Sequence, residues 1–255
     1  MSDVARLNQM LFNRLAPEYD ERYKSTMGFL IEQIQKESRE FIGFKKGGRL
    51  LDYACGTGLL TDALVDELSQ CIGIDVSTSM VRAYNTKAEA QGISPERRNA
   101  YLGNLLAVSD TRPGAFSGPR FFHFDMVGVA LGFHHFADPL LAARRLVERL
   151  SPGGVLFIID LLPHTPDKPM HGVTHNGFSG EEMRRLFEDA GAGTDFRFKV
   201  LDQEIVMKGG HGHGHGHDHG HGHGHGHGHG HGHGHGEGQA RETKYRVFFA
   251  RGVKA

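Results

Sequence analysis

The sequence predicts an α/β fold in which a mostly parallel sheet carries helices on both faces. Three observations lead there. Short apolar runs alternate with helix-length segments from about residue 49 to residue 191, the pattern of repeated strand-helix-strand units. The first apolar run, "LLDYA", ends in the glycine turn "CGTG" and passes straight into a helical segment. No helix can form between the last two strand-like runs, because glycine occupies nearly every second position from Gly209 to Gly238 and each costs about 1 kcal/mol relative to alanine in a helix.

From Ser2 to about Phe41, Val4, Leu7, Leu11 and Leu15, then Phe29, Leu30, Ile34 and Phe41, recur at helical spacing around a break at Pro17, predicting two amphipathic helices. "GGRLLDYACGTG", "LLTDALVDELS" and "QCIGIDVS" read as strand, helix and strand. "TSMVRAYNTKAEAQG" is a helix with Ser77 or Thr78 as N-cap and Gly92 as its stop, and "NAYLGNLL" is a third strand with its exit loop. "FFHFDMVGVALGF", "PLLAARRLVERLSPGG" and "VLFIIDLL" supply a fourth strand, a helix and a fifth strand. A Pro- and Gly-rich loop leads to "SGEEMRRLFEDAG", a capped helix ending at Gly191. The runs "DFRFKVLDQEIVM" and "TKYRVFFARG" then form an antiparallel hairpin, the simplest pairing without a crossover helix.

The 255 residues fit one domain once the glycine-histidine tract is set aside. Lys and Arg (29) balance Asp and Glu (30) without a basic cluster, which argues against nucleic acid as a partner. Cys55 and Cys71 are too few for a disulfide framework, and the apolar runs are too short to cross a bilayer. The N-terminus reads as neither a signal nor a transit peptide. A soluble, cytoplasmic protein without membrane insertion is expected; the oligomeric state is not legible.

Chemistry concentrates at the glycine turn. Gly56 and Gly58 let the backbone approach a ligand where a strand hands over to a helix, and Asp75, ending the second strand, offers a carboxylate to a ribose. On these residues alone a nicotinamide oxidoreductase stays open, although Thr61 stands where the dinucleotide fingerprint has its third glycine. A metal-binding protein on a retired scaffold also stays open.

Beyond these residues, "LLDYACGTG", "IGIDVSTSMV", "FDMVGVALGFHHFADP", "LSPGGVLFIID" and "HNGFSGEEMRRLFEDAG" together resemble the class I S-adenosylmethionine-dependent methyltransferases, in particular the small-molecule branch of ubiquinone/menaquinone C-methyltransferases. The resemblance implies a Rossmann-like seven-stranded sheet with an antiparallel last strand, a helical lid at residues 1–46 and a catalytic domain at residues 47–255. It implies S-adenosylmethionine as cofactor and a small-molecule acceptor. It places the methionine end against Asp52, Ala54, Gly56 and Gly58, the ribose on Asp75, and the adenine near Val76, Asn104 and Leu105. Asn104 stands where many relatives carry Asp; its amide oxygen can accept the adenine amino hydrogen without a charge, which predicts weaker affinity.

For catalysis, Tyr19 in "FNRLAPEYDERY" can set an aromatic face near a sulfonium, worth about 0.5–2 kcal/mol. His134 and His135 follow the fourth strand at the end where ligands of open sheets bind, and one of them is expected to orient or deprotonate the acceptor; a pocket-wall histidine is the competing reading. The cysteines, inside apolar runs, read as small buried hydrophobes.

The tract Gly209–Gly238 holds thirteen of the nineteen histidines. It is expected to be a disordered insertion between the last two strands, leaving from the carboxyl edge of the sheet and binding nickel, copper or zinc through His211, His213, His215, His217, His219, His221, His223 and their neighbours.

Overall fold

The structure is a computed structural model that describes residues 2–107, 114–165, 172–208 and 242–255. Seven strands form one sheet in the order β3-β2-β1-β4-β5-β9-β6. They are β1 (Arg49–Tyr53), β2 (Gln70–Asp75), β3 (Arg98–Leu102), β4 (Phe124–Ala130), β5 (Leu150–Leu161), β6 (Thr194–Val200) and β9 (Val247–Val253). β1 to β5 pair in parallel, and β9 runs antiparallel to both β5 and β6. The expected Rossmann-like sheet, with its reversed last strand, is therefore the one found.

Both faces are buried, which is why the strands read as continuous apolar runs. Leu51, Leu156, Ile158 and Phe248 face one core, with the helices α6 (Pro139–Val147) and α7 (Gly180–Ala190) behind it. Their neighbours Leu50, Phe157, Ile159 and Phe249 face the other, under α3 (Lys24–Glu37) and α4 (Leu59–Leu64). α5 (Thr78–Ala90) starts at the Ser77 cap, whose hydroxyl accepts the Met80 N–H, and Gly92 follows its end at φ +68°. α7 carries the capping box of Ser179 and Glu182 and stops at Gly191, φ +85°. Among the described residues no helix is long and apolar enough to cross a membrane.

The predicted final hairpin is built from four segments rather than two. β6 pairs with β9 as far as Val200↔Phe248. The chain then bends at the polar stretch Asp202–Glu204, and β7 (Ile205–Lys208) pairs with β8 (Glu242–Tyr245) in a separate two-stranded sheet. That ribbon is fastened to α3 by the Thr26 hydroxyl, which donates to Val206 O at 2.8 Å. β9 begins beside the end of β5 (Leu161↔Val247), so the ribbon stands at the carboxyl edge of the sheet. The tract Gly209–Gly238, with the metal ligands expected on it, lies outside the described residues.

The N-terminal helices α1 (Asp3–Leu15) and α2 (Tyr19–Arg22) lie at that same edge, ahead of α3 on the sheet's face. α1 is tied down by polar groups on its inner face. Gln9 Nε2 donates to Val76 O at 2.8 Å, and Asn13 Oδ1 accepts the Ser77 hydroxyl and the Ser79 N–H.

Candidate active site

Beneath α1, at the carboxyl ends of β1, β2 and β4, lies a cavity walled by Tyr19, Ala54, Gly56, Asp75, Val76, Asn104 and His135. Seven of the expected site residues thus meet in one place. Gly56 has φ +52°, and nothing lies within 4 Å of where a Cβ would stand, so the turn leaves a space that a side chain would fill. Asp75 is held rigidly over it: one carboxylate oxygen accepts the Gly56 N–H at 2.9 Å, the other the Ser77 N–H at 2.8 Å. Burial raises the Asp75 carboxyl above its ordinary value, against the three backbone N–H groups that stabilise the anion.

Asp52, Gly58, Leu105 and His134 are not on the cavity wall. Asp52 points under the glycine turn, 1% exposed, where one oxygen accepts the Thr61 N–H and hydroxyl. Thr61 in turn meets the Tyr84 hydroxyl at 2.9 Å. Gly58 is required by packing: at φ +102°, a Cβ would come within 2.7 Å of the buried Arg98 guanidinium. Leu105 is core, its N–H donated to the Tyr53 hydroxyl. These residues support the turn from behind.

Burial lifts Asp52 to about 7, against its hydrogen bonds from Thr61. Because this value exceeds that of an unfolded carboxyl, ionisation penalises the folded state increasingly between about pH 4 and pH 7, and fully above that. Asp52→Asn keeps an acceptor for both Thr61 bonds, so it is expected to raise the melting temperature at pH 8 and leave it unchanged at pH 4. Thermal unfolding at the two pH values checks this; a lower melting temperature at pH 8 would contradict it.

The two histidines occupy a 3-10 turn, Phe133–His135, after β4 and point to different partners. His134 Nδ1 lies 2.7 Å from Asp160, whose other oxygen accepts the His134 N–H. Burial raises the Asp160 carboxyl, but His134 and these bonds hold it below its ordinary value overall. His135 faces the cavity. Its Nδ1 is 2.8 Å from the Gly172 carbonyl, which can only accept, so the proton sits on Nδ1 and Nε2 keeps its lone pair. Burial, then the neighbouring His134, lowers His135 to about 3 and keeps it neutral.

Tyr19 packs edge-on against Tyr23, ring centroids 4.9 Å apart, and burial raises its hydroxyl, with Tyr23, Asp20 and Asp75 adding to the rise. It therefore stays a phenol. Next to it, Asp20 accepts the Thr57 hydroxyl at 2.5 Å and meets Lys87 at 2.8 Å, joining the N-terminal segment to the glycine turn. The sequence reading passed over these contacts and over Asn8, which lines the cavity from α1; the signal available was polar residues on the inward stripe of an amphipathic helix. Both cysteines are buried thiols held protonated by desolvation, Cys71 up to about 12. His175 packs beside Phe178, ring centroids 5.3 Å apart. Among the described residues no cluster of three or more His, Cys, Asp or Glu could hold a metal.

Asn104, on the cavity wall, has its side-chain oxygen in contact with the protein. Its oxygen accepts the Leu106 N–H at 2.8 Å and lies 3.2 Å from the Tyr53 hydroxyl, so it is engaged within the protein.

Known proteins share the family and the fold. A family model described as a methyltransferase domain matches residues 23–194. An uncharacterized methyltransferase of Schizosaccharomyces pombe is 35% identical over 156 residues, 57% of this chain and about half (54%) of that relative's length. A ubiquinone/menaquinone biosynthesis C-methyltransferase of Shewanella (strain ANA-3) is 29% identical over 204 residues, covering 78% of this chain and 69% of that one. The fold is shared with the YcgJ protein of Bacillus subtilis (TM-score 0.57, 14% identity, 91% and 98% of the two chains). It is also shared with phosphoethanolamine N-methyltransferase 2 of Haemonchus contortus, solved with S-adenosyl-L-methionine (TM-score 0.51, 19% identity, 67% and 38%).

Proposed function

The chain belongs to the methyltransferase-domain family, and on that premise we propose that it moves the methyl group of S-adenosylmethionine to a small, largely apolar acceptor, with residues 1–46 as the lid over the site. The observation that carries the cofactor reading is the Gly56 turn with Asp75 fixed above it: backbone room and a carboxylate at the end of β2, where an adenosyl ribose needs both. On this reading Tyr19 and Ala54 take the methionine side and Val76 and Asn104 the base side; all four are on the cavity wall. When bound, S-adenosylmethionine supplies a methyl group already activated on a sulfonium.

The protein's share is alignment, exclusion of water and management of one proton. α1 covers the cavity, with Asn13, Gln9 and Asp20 pinning it and its neighbouring turn to the cofactor side. His135 Nε2 presents a lone pair into the cavity, where it can accept a hydrogen bond from the acceptor and orient it. Val4, Ala5, Phe12, Met27 and Leu131 make much of the remaining wall apolar, beside the polar Ser2, Asn8, Thr57 and Asp138, which favours a largely apolar acceptor. The quinone biosynthesis in the name of the Shewanella relative supports a ring-bearing one. In a thermal-shift comparison, S-adenosylhomocysteine is expected to raise the melting temperature and NAD to leave it unchanged; the reverse would favour the oxidoreductase reading.

A second reading rests on thirteen histidines alternating with glycine: the tract binds nickel, copper or zinc through neutral imidazoles, alongside methyl transfer. Replacing Gly209–Gly238 with a short Gly-Ser turn is expected to abolish high-capacity metal binding, which in the full chain should fade below about pH 6 as imidazoles protonate. Metal binding that survives the replacement would place the ligands elsewhere.

A further inference from the structure

We infer that the outward face of α1 is a docking surface for an anionic lipid bilayer, on which the helix lies flat without crossing it. The inference stands on that surface alone; only its bearing on the acceptor rests on the methyl-transfer reading. α1 is fastened with polar residues turned inward. Gln9 and Asn13 hold the Val76–Ser79 turn, and Asn8, 6% exposed, lines the cavity. A surface helix ordinarily turns its apolar stripe to the core and its polar side to water. The apolar residues of α1 divide instead: Val4, Ala5 and Phe12 line the cavity, while Leu7 and Met10, one turn apart, are 48% and 65% exposed and join neither core cluster. Among the described residues one other large apolar side chain is as open to solvent, Leu102 at 51%. It ends β3 opposite Asp75, at the same carboxyl edge. The exposed large apolar side chains are thus gathered at the edge where the cavity lies, and apolar surface gathered on one side marks a contact.

The charges identify the partner. Arg6, Met10 and Arg14 form one row at i, i+4 spacing, and both guanidinium groups are exposed and meet no acid among the described residues. Asp3, in the first turn, is the one acid of the helix. Two cations therefore flank the apolar pair, and their aliphatic stems can lie along it with the charge at the headgroups. The whole chain has a formal net charge of −1, so attraction to an anionic surface has to come from this face. Three side chains fall well short of the ~800 Å² that each partner gives a stable protein interface, whereas an interfacial helix needs one face only. The 13 residues of α1 rise about 20 Å against a hydrocarbon core of ~30 Å, so the helix rests on the bilayer. Because α1 also roofs the cavity, docking sets the site against the phase in which a largely apolar acceptor dissolves.

The test is cosedimentation of the full chain with vesicles of phosphatidylcholine, alone or with about one-third phosphatidylglycerol. It is run at about pH 8 with a chelator, so that the histidines are neutral and carry no metal. The anionic vesicles are expected to bind at least about tenfold more tightly than the neutral ones, as two guanidinium groups would give, and the preference should shrink on added salt. Leu7→Ser with Met10→Ser should weaken binding about tenfold. Arg6→Gln with Arg14→Gln should remove the preference for the anionic vesicles. Both variants should keep the wild-type circular dichroism and melting temperature, since all four side chains stand in solvent. No sedimentation with the anionic vesicles, or sedimentation that survives both pairs of substitutions, would overturn the inference. So would a dimer in light scattering that the Leu7 and Met10 substitutions dissolve, which would make a second copy of the chain the occupant. Failure of S-adenosylhomocysteine to bind would remove the methyl-transfer reading and leave the vesicle result standing.

Discussion

Asp75→Ala is expected to weaken binding of S-adenosylhomocysteine by about 1–3 kcal/mol, roughly 5- to 150-fold, because a buried pair of ribose hydroxyls loses a charge-assisted acceptor. The effect should sit at the upper end of that range. The same carboxylate holds the Gly56 and Ser77 N–H groups, so its removal also releases the turn that makes room for the ligand. The sheet is expected to persist, since Asp75 is the last residue of β2 and the core lies behind it. Calorimetry paired with circular dichroism separates the two effects. Unchanged affinity in a folded variant would sink the ribose assignment.

His135→Ala is expected to lower kcat by about 10²-fold with little change in cofactor affinity, at the low end for loss of a general base. The structure sets that end: an imidazole held near 3 is a weak base, so its contribution is chiefly an oriented lone pair. His135→Gln, which can restore an acceptor, should recover part of the rate. The two pH profiles should differ in height and not in shape, because His135 stays neutral above about pH 4. A wild-type limb near 6.5 that vanishes in the variant would contradict this. Stability carries the complementary sign. The unfolded imidazole protonates near 6.5 and the folded one near 3, so unfolding gains from acid across that window and the cost disappears above it. His135→Ala should therefore flatten the acid limb of the stability curve.

The sheet was legible because its strands are buried on both faces, and the glycine turn because Gly56 follows β1 closely and Asp75 closes β2, a pattern that suits a nucleoside ligand. What the motif could not distinguish was which of its residues touch the cavity. Side chains alternate along a strand, so Asp52 follows Leu50 toward α4 while Tyr53 turns toward Asn104. His134 and His135, adjacent in sequence, diverge because a 3-10 turn aims them at Asp160 and Gly172 respectively. The bend at Asp202–Glu204 hid within a run that otherwise reads as one strand. Asn104 meets Tyr53, 51 residues away, and no local pattern encodes such a contact.

Methyl transfer to a small apolar molecule is read out by following label from S-[methyl-¹⁴C]adenosylmethionine incubated with the full chain and a cell extract. Label is expected to move into an organic-extractable, low-molecular-weight product with one S-adenosylhomocysteine formed per methyl transferred, and Asp75→Ala is expected to suppress both. Label recovered in protein or nucleic acid, or S-adenosylhomocysteine formation no faster than in the absence of the chain, would contradict it.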